Sequence, residues 1–194
     1  MIPEPDDREA FAAFLLRLRG KGVVAKSLIA AFEATPRRLF LPLQFQSAAW
    51  SEGMVPIECG EAIEGADYQA QLLATLAPEP GHRVLEIGSG SGYTAALMSR
   101  LAARIVTLER YKTLTELARQ RFEQLGLTNV AVRQAESIPL KIRLKRGAWK
   151  APNDLTPADL AVSCARCFAS TISSGTVRRR ASSICAAAAW IPVT

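Results

Sequence analysis

The sequence has little histidine and little cysteine. A single histidine, His82, occurs among 194 residues, which argues against Ser-His-Asp and Cys-His hydrolases and against a histidine-rich metal site. Four cysteines in a chain of this length do not form the framework of a small disulfide-bonded protein, so we expect a reducing cytoplasm. The pair Cys164 and Cys167 has C-x-x-C spacing but lacks an obvious set of further ligands, and we predict no bound metal.

Long apolar runs and a basic, apolar leader are also missing. No stretch of about 18 uncharged apolar residues occurs, so we expect no membrane span. The first residues contain no basic patch followed by an apolar run, so we expect no secretory signal.

Acidic residues are scarce only toward the carboxyl end. Residues 137–194 hold nine basic and two acidic side chains, so the net charge of +6 leaves residues 1–136 at −1. We interpret the run Arg178–Arg180 as solvated surface, because most charge runs are, and we expect no nucleic-acid partner.

The spacing of apolar residues predicts an α/β domain preceded by helices. Helical spacing indicates helices over 6–19, 26–34 and 67–77, and proline and glycine indicate a loop-like stretch over 35–65. Three strands then alternate with two helices, over residues 83–87, 93–101, 104–109, 113–125 and 129–134. This alternation predicts a doubly wound, Rossmann-like parallel sheet with right-handed crossovers. Thr113 and Glu116 have the spacing of a capping box.

A glycine-rich turn follows the first of these strands. The strand ends with Glu86-Ile87, and Gly88, Gly90 and Gly92 lead into the next helix. Glycines at these positions permit a tight turn and allow a ligand to approach the backbone closely. We therefore expect this turn to be part of a binding site.

Two further acidic residues end the next strands. Glu109 ends the second strand, 21 residues after Gly88, and Glu136 follows the third strand. Ligands of parallel sheets bind at the carboxyl ends of the strands, and a carboxylate at position 109 can accept both hydroxyls of a ribose. Together with Glu86, these residues predict a nucleoside-sized site.

Other interpretations of the turn explain less. A simple tight turn leaves the acidic residues unexplained, and a P-loop is excluded because no Gly-Lys-Ser/Thr follows. A nicotinamide or flavin site prefers G-x-G-x-x-G, whereas the third glycine here comes one residue early. Glu86 would repel a pyrophosphate but suits a ligand that carries an ammonium or sulfonium group.

These segments resemble one family. Residues 86–96, Glu-Ile-Gly-Ser-Gly-Ser-Gly-Tyr-Thr-Ala-Ala, are very similar to the methyl-donor motif of the protein-L-isoaspartate O-methyltransferases. Residues 35–42 resemble that family's R-x-x-F-x-P segment, and residues 57–63 resemble the stretch before its active-site serine. The resemblance covers residues 8–136 and implies S-adenosylmethionine as cofactor. The residues that it implies for cofactor binding are Glu86, Gly88, Ser89, Gly90, Gly92, Glu109 and Glu136.

The resemblance also implies an activity. The expected reaction is methylation of L-isoaspartyl carboxylates in damaged proteins, by a monomer in the cytoplasm. Such a carboxylate is already ionised at neutral pH, so no general base is required and we assign no catalytic residue. The alternatives are methylation of another carboxylate or a small molecule, and an inactive protein that at most binds the methyl donor.

The chain departs from the family pattern in two places. Glu64 stands where the family has a serine near the substrate carboxylate, and a second carboxylate there is unfavourable unless one is protonated or Glu64 turns away. Residues 137–194 lack the family's later motifs, and 159–163 is the one candidate strand, so we predict incomplete carboxyl-terminal strands and an out-of-frame or divergent region. We therefore expect a methyltransferase domain over residues 1–136 and a basic region over residues 137–194. Within the domain, residues 1–80 form a helical, substrate-side part, and residues 81–136 form the core that binds the methyl donor.

Overall fold

The computed structural model of the protein describes residues 5–135 and 160–163. The helices in these ranges are α1 (Pro5–Gly20), α2 (Lys26–Glu33), α3 (Ala66–Leu76), α4 (Tyr93–Ser99) and α5 (Lys112–Gln124). The strands are β1 (Val55–Pro56), β2 (Ala62–Ile63), β3 (Arg83–Ile87), β4 (Arg104–Glu109), β5 (Val130–Gln134) and β6 (Leu160–Ser163). Three features discussed above, Glu136, the C-x-x-C pair and the arginine run, lie outside the described residues.

The main sheet is parallel and has the strand order β5-β4-β3-β6. The chain runs outward from β3 to β5 and then returns to the other side of β3, where β6 pairs with it. The candidate strand at 159–163 is thus confirmed as β6. Because the order reverses beside β3, the loop after β3 lies at a topological switch point, where parallel sheets bind ligands.

The strands around β3 are buried because their side chains are apolar in near-continuous runs. Val84, Ile87 and Ile105 are each at most 4% exposed, as expected for a parallel sheet with both faces covered. The exceptions in these buried runs are acidic or hydroxyl side chains close to the carboxyl ends of β3 and β4, and they carry the site described below.

The predicted amino-terminal helices are confirmed, and aromatic rings join them to α4. The ring of Phe14 on α1 lies 5.1 Å from that of Phe32 on α2, which lies 6.4 Å from the ring of Tyr93 on α4. Phe40 contacts the same tyrosine, with ring centroids 5.2 Å apart. Each such pair contributes about 1 kcal/mol beyond its buried area, so the helical segment is fixed to the sheet domain.

An ion-paired carboxylate fastens α1 to α3. Asp67, in the first turn of α3, accepts hydrogen bonds from Arg17 at 2.9 Å and from Lys21 at 2.8 Å. Burial alone would raise the pKa of Asp67, but the bonds from Arg17 and Lys21 outweigh it and lower that pKa below 3.8. No helix in the described ranges has the length and apolar character needed to cross a bilayer.

The structure corrects two details of the sequence prediction. The loop-like stretch 35–65 contains three 3-10 turns and the antiparallel pair of β1 and β2. The capping box is wrong: α5 begins at Lys112, so Thr113 lies inside the helix, and Glu116 pairs with Arg119 on the helix surface. In the first turn of α5 the carbonyl of Tyr111 accepts both the N–H and the hydroxyl of Thr115, at 2.9 and 3.0 Å, and no side chain caps the helix.

Candidate ligand site at the carboxyl edge of the sheet

The glycine-rich turn has a backbone that most other residues would strain. Gly88, Gly90 and Gly92 have φ angles of 87°, 51° and 88°, in the left-handed region that favours glycine. The N–H of Gly88 donates to the carbonyl of Leu108 at 2.8 Å, which ties the turn to the end of β4. The turn is therefore held in one shape beside the carboxyl end of the sheet.

The first and third glycines of the turn serve different purposes. A Cβ at Gly92 would lie 3.0 Å from the side chains of Ala118 and Phe122, so glycine here lets α5 pack closely on the turn. A Cβ at Gly88 would meet no atom of the described residues within 4 Å. The backbone at Gly88 is thus open to approach by a ligand.

Glu109 closes the turn from the adjacent strand. One carboxylate oxygen accepts the N–H of Gly90 at 2.9 Å, and the other accepts the N–H groups of Arg110 and Tyr111 at 2.7 and 3.0 Å. A carboxylate has about four lone-pair sites, so a ribose hydroxyl would share these oxygens with backbone donors. Glu109 is 6% exposed and lies where a ribose of a nucleoside ligand was predicted to bind.

Glu86 is a fully buried acid at the same edge. The hydroxyl of Thr107 donates to its carboxylate at 2.5 Å, and Ser89 lies 2.6 Å from the same hydroxyl. Burial raises the pKa of Glu86 to about 8, a shift that the Thr107 bond reduces and that the nearby charges of Glu64 and Glu109 increase. The group is therefore largely protonated at neutral pH, and a cationic ligand would favour its ionised form.

The segment over residues 57–64 comes close to the turn. The methyl carbon of Ile57 would lie 3.5 Å from a Cβ at Gly90, and Arg110 pairs with Glu61 at 3.3 Å. Glu64, directly after the buried Ile63 of β2, is near enough to Glu86 for its charge to act on that carboxyl. The departure from the family pattern at position 64 therefore faces the same edge as the predicted ligand residues.

The structure brings together the described residues that the sequence predicted for this site. Direct contacts link Glu109 to Gly90, and a hydroxyl chain links Ser89 to Glu86 through Thr107. Their part in ligand binding stays a prediction, and Glu136 lies outside the described residues. His82, by contrast, bonds to the backbone of Glu79 at 3.1 Å at the amino end of β3, opposite the site.

Two residues that contribute to the site or its surroundings are not predicted from the sequence. Thr107 is not among the residues that the sequence predicts for the site, although a hydroxyl in the otherwise apolar run Ile105–Leu108 is a usable signal. Arg37 belongs to the segment that resembles the R-x-x-F-x-P motif, and the structure shows that it is completely buried and contacts α4 and the backbone at Glu64. Nothing in the local sequence indicates that burial.

A parallel sheet with a glycine turn and acidic residues at its switch point defines the class of nucleotide- and nucleoside-binding α/β domains. Comparison with known proteins narrows this class. Residues 9–138 match the family described as protein-L-isoaspartate(D-aspartate) O-methyltransferase, which is more than half of the chain, and the chain belongs to that family.

Individual relatives agree with this assignment. The protein-L-isoaspartate O-methyltransferase of Rhizobium meliloti (strain 1021) is 49% identical over 121 residues, which are 62% of this chain and 59% of the relative. That of Rhodopseudomonas palustris (strain BisA53) is 41% identical over 133 residues, 68% of this chain and 62% of the relative. The chain thus spans about three fifths of the length of these relatives.

Solved structures support the fold. A protein-L-isoaspartate O-methyltransferase structure matches with a TM-score of 0.53 and 26% identity, over 66% of this chain and 42% of the other. A Plasmodium falciparum protein described as a putative member of the same family, in complex with S-adenosyl-L-homocysteine, matches with a TM-score of 0.53 and 18% identity, over 68% and 65%. The predicted α/β Rossmann-like fold is confirmed.

Proposed function

We propose that this protein transfers the methyl group of S-adenosylmethionine to the carboxylate of L-isoaspartyl residues in damaged proteins. Family membership supports the reaction, and the observation that carries it in this chain is the acidic edge formed by Glu86 and Glu109 around an open glycine turn. We also propose that the protein is a monomer in the cytoplasm and that its partners are isoaspartyl-containing proteins. This part of the proposal rests on the sequence alone.

The residues at this edge fit the proposed cofactor. Glu109 would hold the ribose, the backbone near Gly88 offers room for close approach, and the buried Glu86 would face the ammonium-bearing part of the molecule. A pyrophosphate would not favour the ionised form of Glu86 as a cationic ligand does, and the glycine spacing differs from G-x-G-x-x-G, so a dinucleotide fits this edge less well. When bound, S-adenosylmethionine supplies an electrophilic methyl group and its own leaving group.

The work left to the protein is alignment and exclusion of water. An isoaspartyl carboxylate is already ionised at neutral pH and can act as the nucleophile without a base. Holding two reactants in line contributes several kcal/mol to the lowering of a barrier, about 7 or more in favourable cases. The segment that contains Ile57 and Glu61 lies against the glycine turn, where it can present an acceptor to the methyl donor.

The test is transfer of labelled methyl from S-adenosylmethionine to an isoaspartyl peptide, with the matching aspartyl peptide as control. We expect labelling of the isoaspartyl peptide alone. Labelling of neither peptide would refute the transfer reaction. If calorimetry then shows that S-adenosylmethionine binds, the protein is one that only binds the methyl donor. Labelling of both peptides, or of a different carboxylate in preference, would refute the isoaspartyl specificity.

A site variant separates the proposed edge from other binding modes. Glu109→Gln keeps the shape of the side chain but replaces one acceptor oxygen with an amide that cannot accept backbone N–H groups. We expect the dissociation constant of the methyl donor to rise about tenfold or more, as for loss of charged hydrogen bonds. Glu116→Gln, on the exposed surface of α5, is the matched control and should leave that constant unchanged.

A further inference from the structure

Arg37 is a completely buried arginine whose direct hydrogen-bond partners are neutral. It is 0% exposed, and it donates to the side-chain oxygen of Gln69 and to the backbone carbonyl of Glu64. Its guanidinium also lies 4.7 Å from the centroid of the Tyr93 ring. Arg37 thus contacts the start of α4 and the segment before α3 at the same time.

A second bond joins the same two elements. The amide nitrogen of Gln69, on α3, donates to the hydroxyl of Thr94, on α4. Gln69 is 1% exposed, and its oxygen accepts from Arg37, so both ends of its amide are used. The chain Arg37, Gln69 and Thr94 therefore links the backbone at Glu64 to the first turn of the helix that follows the glycine motif. We call this chain the Arg37 bridge.

Close backbone packing holds the other side of the Glu64 segment. The N–H of Ala66 donates to the carbonyl of Ser51 at 2.9 Å. A Cβ at Gly65 would lie 1.8 Å from the carbonyl oxygen of Glu52, so this position accepts only glycine in this arrangement. With packing on one side and the Arg37 bridge on the other, the backbone at Glu64 has a fixed position relative to α4.

The cost of this arrangement argues that stability is not its main effect. Burial lowers the pKa of Arg37, and its Nε has no hydrogen-bond partner among the described residues. The nearby charge of Glu64 offsets only part of the burial of Arg37. Buried charged groups are often replaced by apolar residues without loss of stability, so a buried cation that donates to neutral acceptors calls for another reason. Fixing one geometry among several is the best-attested use of buried polar groups.

We propose that the Arg37 bridge sets the distance between the acceptor side and the methyl-donor side of the site, with Arg37, Gln69 and Thr94 as positioning residues. None of the three needs to touch either reactant. The bridge acts on the backbone at Glu64, at the carboxyl end of β2, and on the helix that begins after Gly92. The catalytic consequence rests on the proposed methyl transfer, whereas the mechanical consequence does not.

The test compares two substitutions at Thr94. Thr94→Val removes the hydroxyl that Gln69 donates to and keeps the branched shape, whereas Thr94→Ser keeps the hydroxyl. In Thr94→Val we expect kcat for the isoaspartyl peptide to fall about tenfold, because small misplacements of reactants are costly. The dissociation constant of S-adenosylmethionine should stay within about twofold, and Thr94→Ser should restore most of the rate.

A second readout is independent of activity. Amide hydrogen exchange over residues 57–70 should speed up in Thr94→Val and in Gln69→Leu, whereas exchange over 83–87 should not. Asn129→Ala is the control for general destabilisation, since the Asn129 amide donates to the carbonyls of Ser99 and Ala102 near the far end of α4. It should lower the melting temperature without a selective change at 57–70.

The outcomes separate the two proposals. If the unmodified protein transfers no methyl group, the exchange experiment still decides whether the bridge fixes the Glu64 segment. Unchanged exchange over 57–70 in both variants would overturn the inference even in an active enzyme. A fall in kcat that Thr94→Ser does not restore, or that Asn129→Ala reproduces at an equal melting temperature, would also overturn it.

Discussion

Replacing Glu86 by glutamine tests whether the acidic edge lowers stability. The carboxyl of Glu86 is buried and has a pKa of about 8, against 4.5 for the free side chain. Because the folded protein holds this proton more tightly than the unfolded chain does, the free energy of unfolding must fall as the pH rises from about 4.5 to about 8. Glutamine cannot titrate, keeps an oxygen that accepts from Thr107, and therefore removes this dependence.

The expected magnitude follows from the size of the pKa difference. Each pH unit between the two pKa values removes about 1.4 kcal/mol, so the group costs about 3 kcal/mol at pH 7 and about 5 kcal/mol above pH 8. A domain of this kind has a total stability of about 5–15 kcal/mol, so the effect is large. The difference in the free energy of unfolding between Glu86→Gln and the wild type should be smallest near pH 4.5 and should increase steadily up to about pH 8.

Urea unfolding at pH 5, 7 and 9 measures this divergence. Glu86→Gln should gain about 4 kcal/mol on the wild type between pH 5 and pH 9, because a small part of the cost is already present at pH 5. Its affinity for S-adenosylmethionine should fall, because a neutral amide cannot balance a cationic ligand. Parallel stability curves for the two proteins across this range would refute the reasoning, since they would mean that Glu86 titrates alike in the folded and unfolded chains.

Two further predictions concern the turn and the amino-terminal helix. Gly92→Ala should lower the free energy of unfolding, measured in urea, by about 3 kcal/mol, because its Cβ would crowd Phe122. Gly88→Ala should lower it by about 1 kcal/mol, from backbone strain alone. Equal losses would contradict the two roles assigned to these glycines. Asp67→Asn should lower the unfolding free energy by about 2 kcal/mol at pH 7. The lowered pKa of Asp67 means that the wild-type advantage is present above about pH 4 and is lost as the pH falls through the folded pKa. An advantage that does not decrease at all as the pH is lowered below 4 would contradict the role of its bond to Arg17.

The sequence sufficed to predict the features that depend on local pattern. Alternating apolar runs and a glycine turn after Ile87 specify strand, turn and helix with little help from distant residues, and β3, β4 and α5 lie within a residue or two of their predicted bounds. Glu109 could be placed near Gly90 because parallel strands end at one edge of a sheet. These inferences use chain periodicity and one rule of topology.

Features that depend on contacts between distant segments were not predictable in this way. Arg37 lies 32 positions from Gln69 in the chain, and a basic residue in a proline-rich loop is usually solvated. The capping box failed for a different, local reason: Tyr111 holds the N-cap position, and no side chain caps the helix. The first backbone bond of α5 runs from Thr115 to the carbonyl of Tyr111, so the helix begins before Thr113, and the spacing of Thr113 and Glu116 does not reveal this.

Two buried ionisable groups, Glu86 and Arg37, lie close to the same connection in the fold. Glu86 precedes the glycine turn, and Arg37 stacks on Tyr93 directly after it. Both costs of burying an ionisable group therefore arise at the connection between β3 and α4. A chain selected for stability alone would fill these positions with apolar side chains, as it does where Phe14 and Phe32 pack together. Local conflicts of this kind are expected where a site must hold charge or fix a distance. The aromatic packing of α1 and α2 offsets that cost from outside the site.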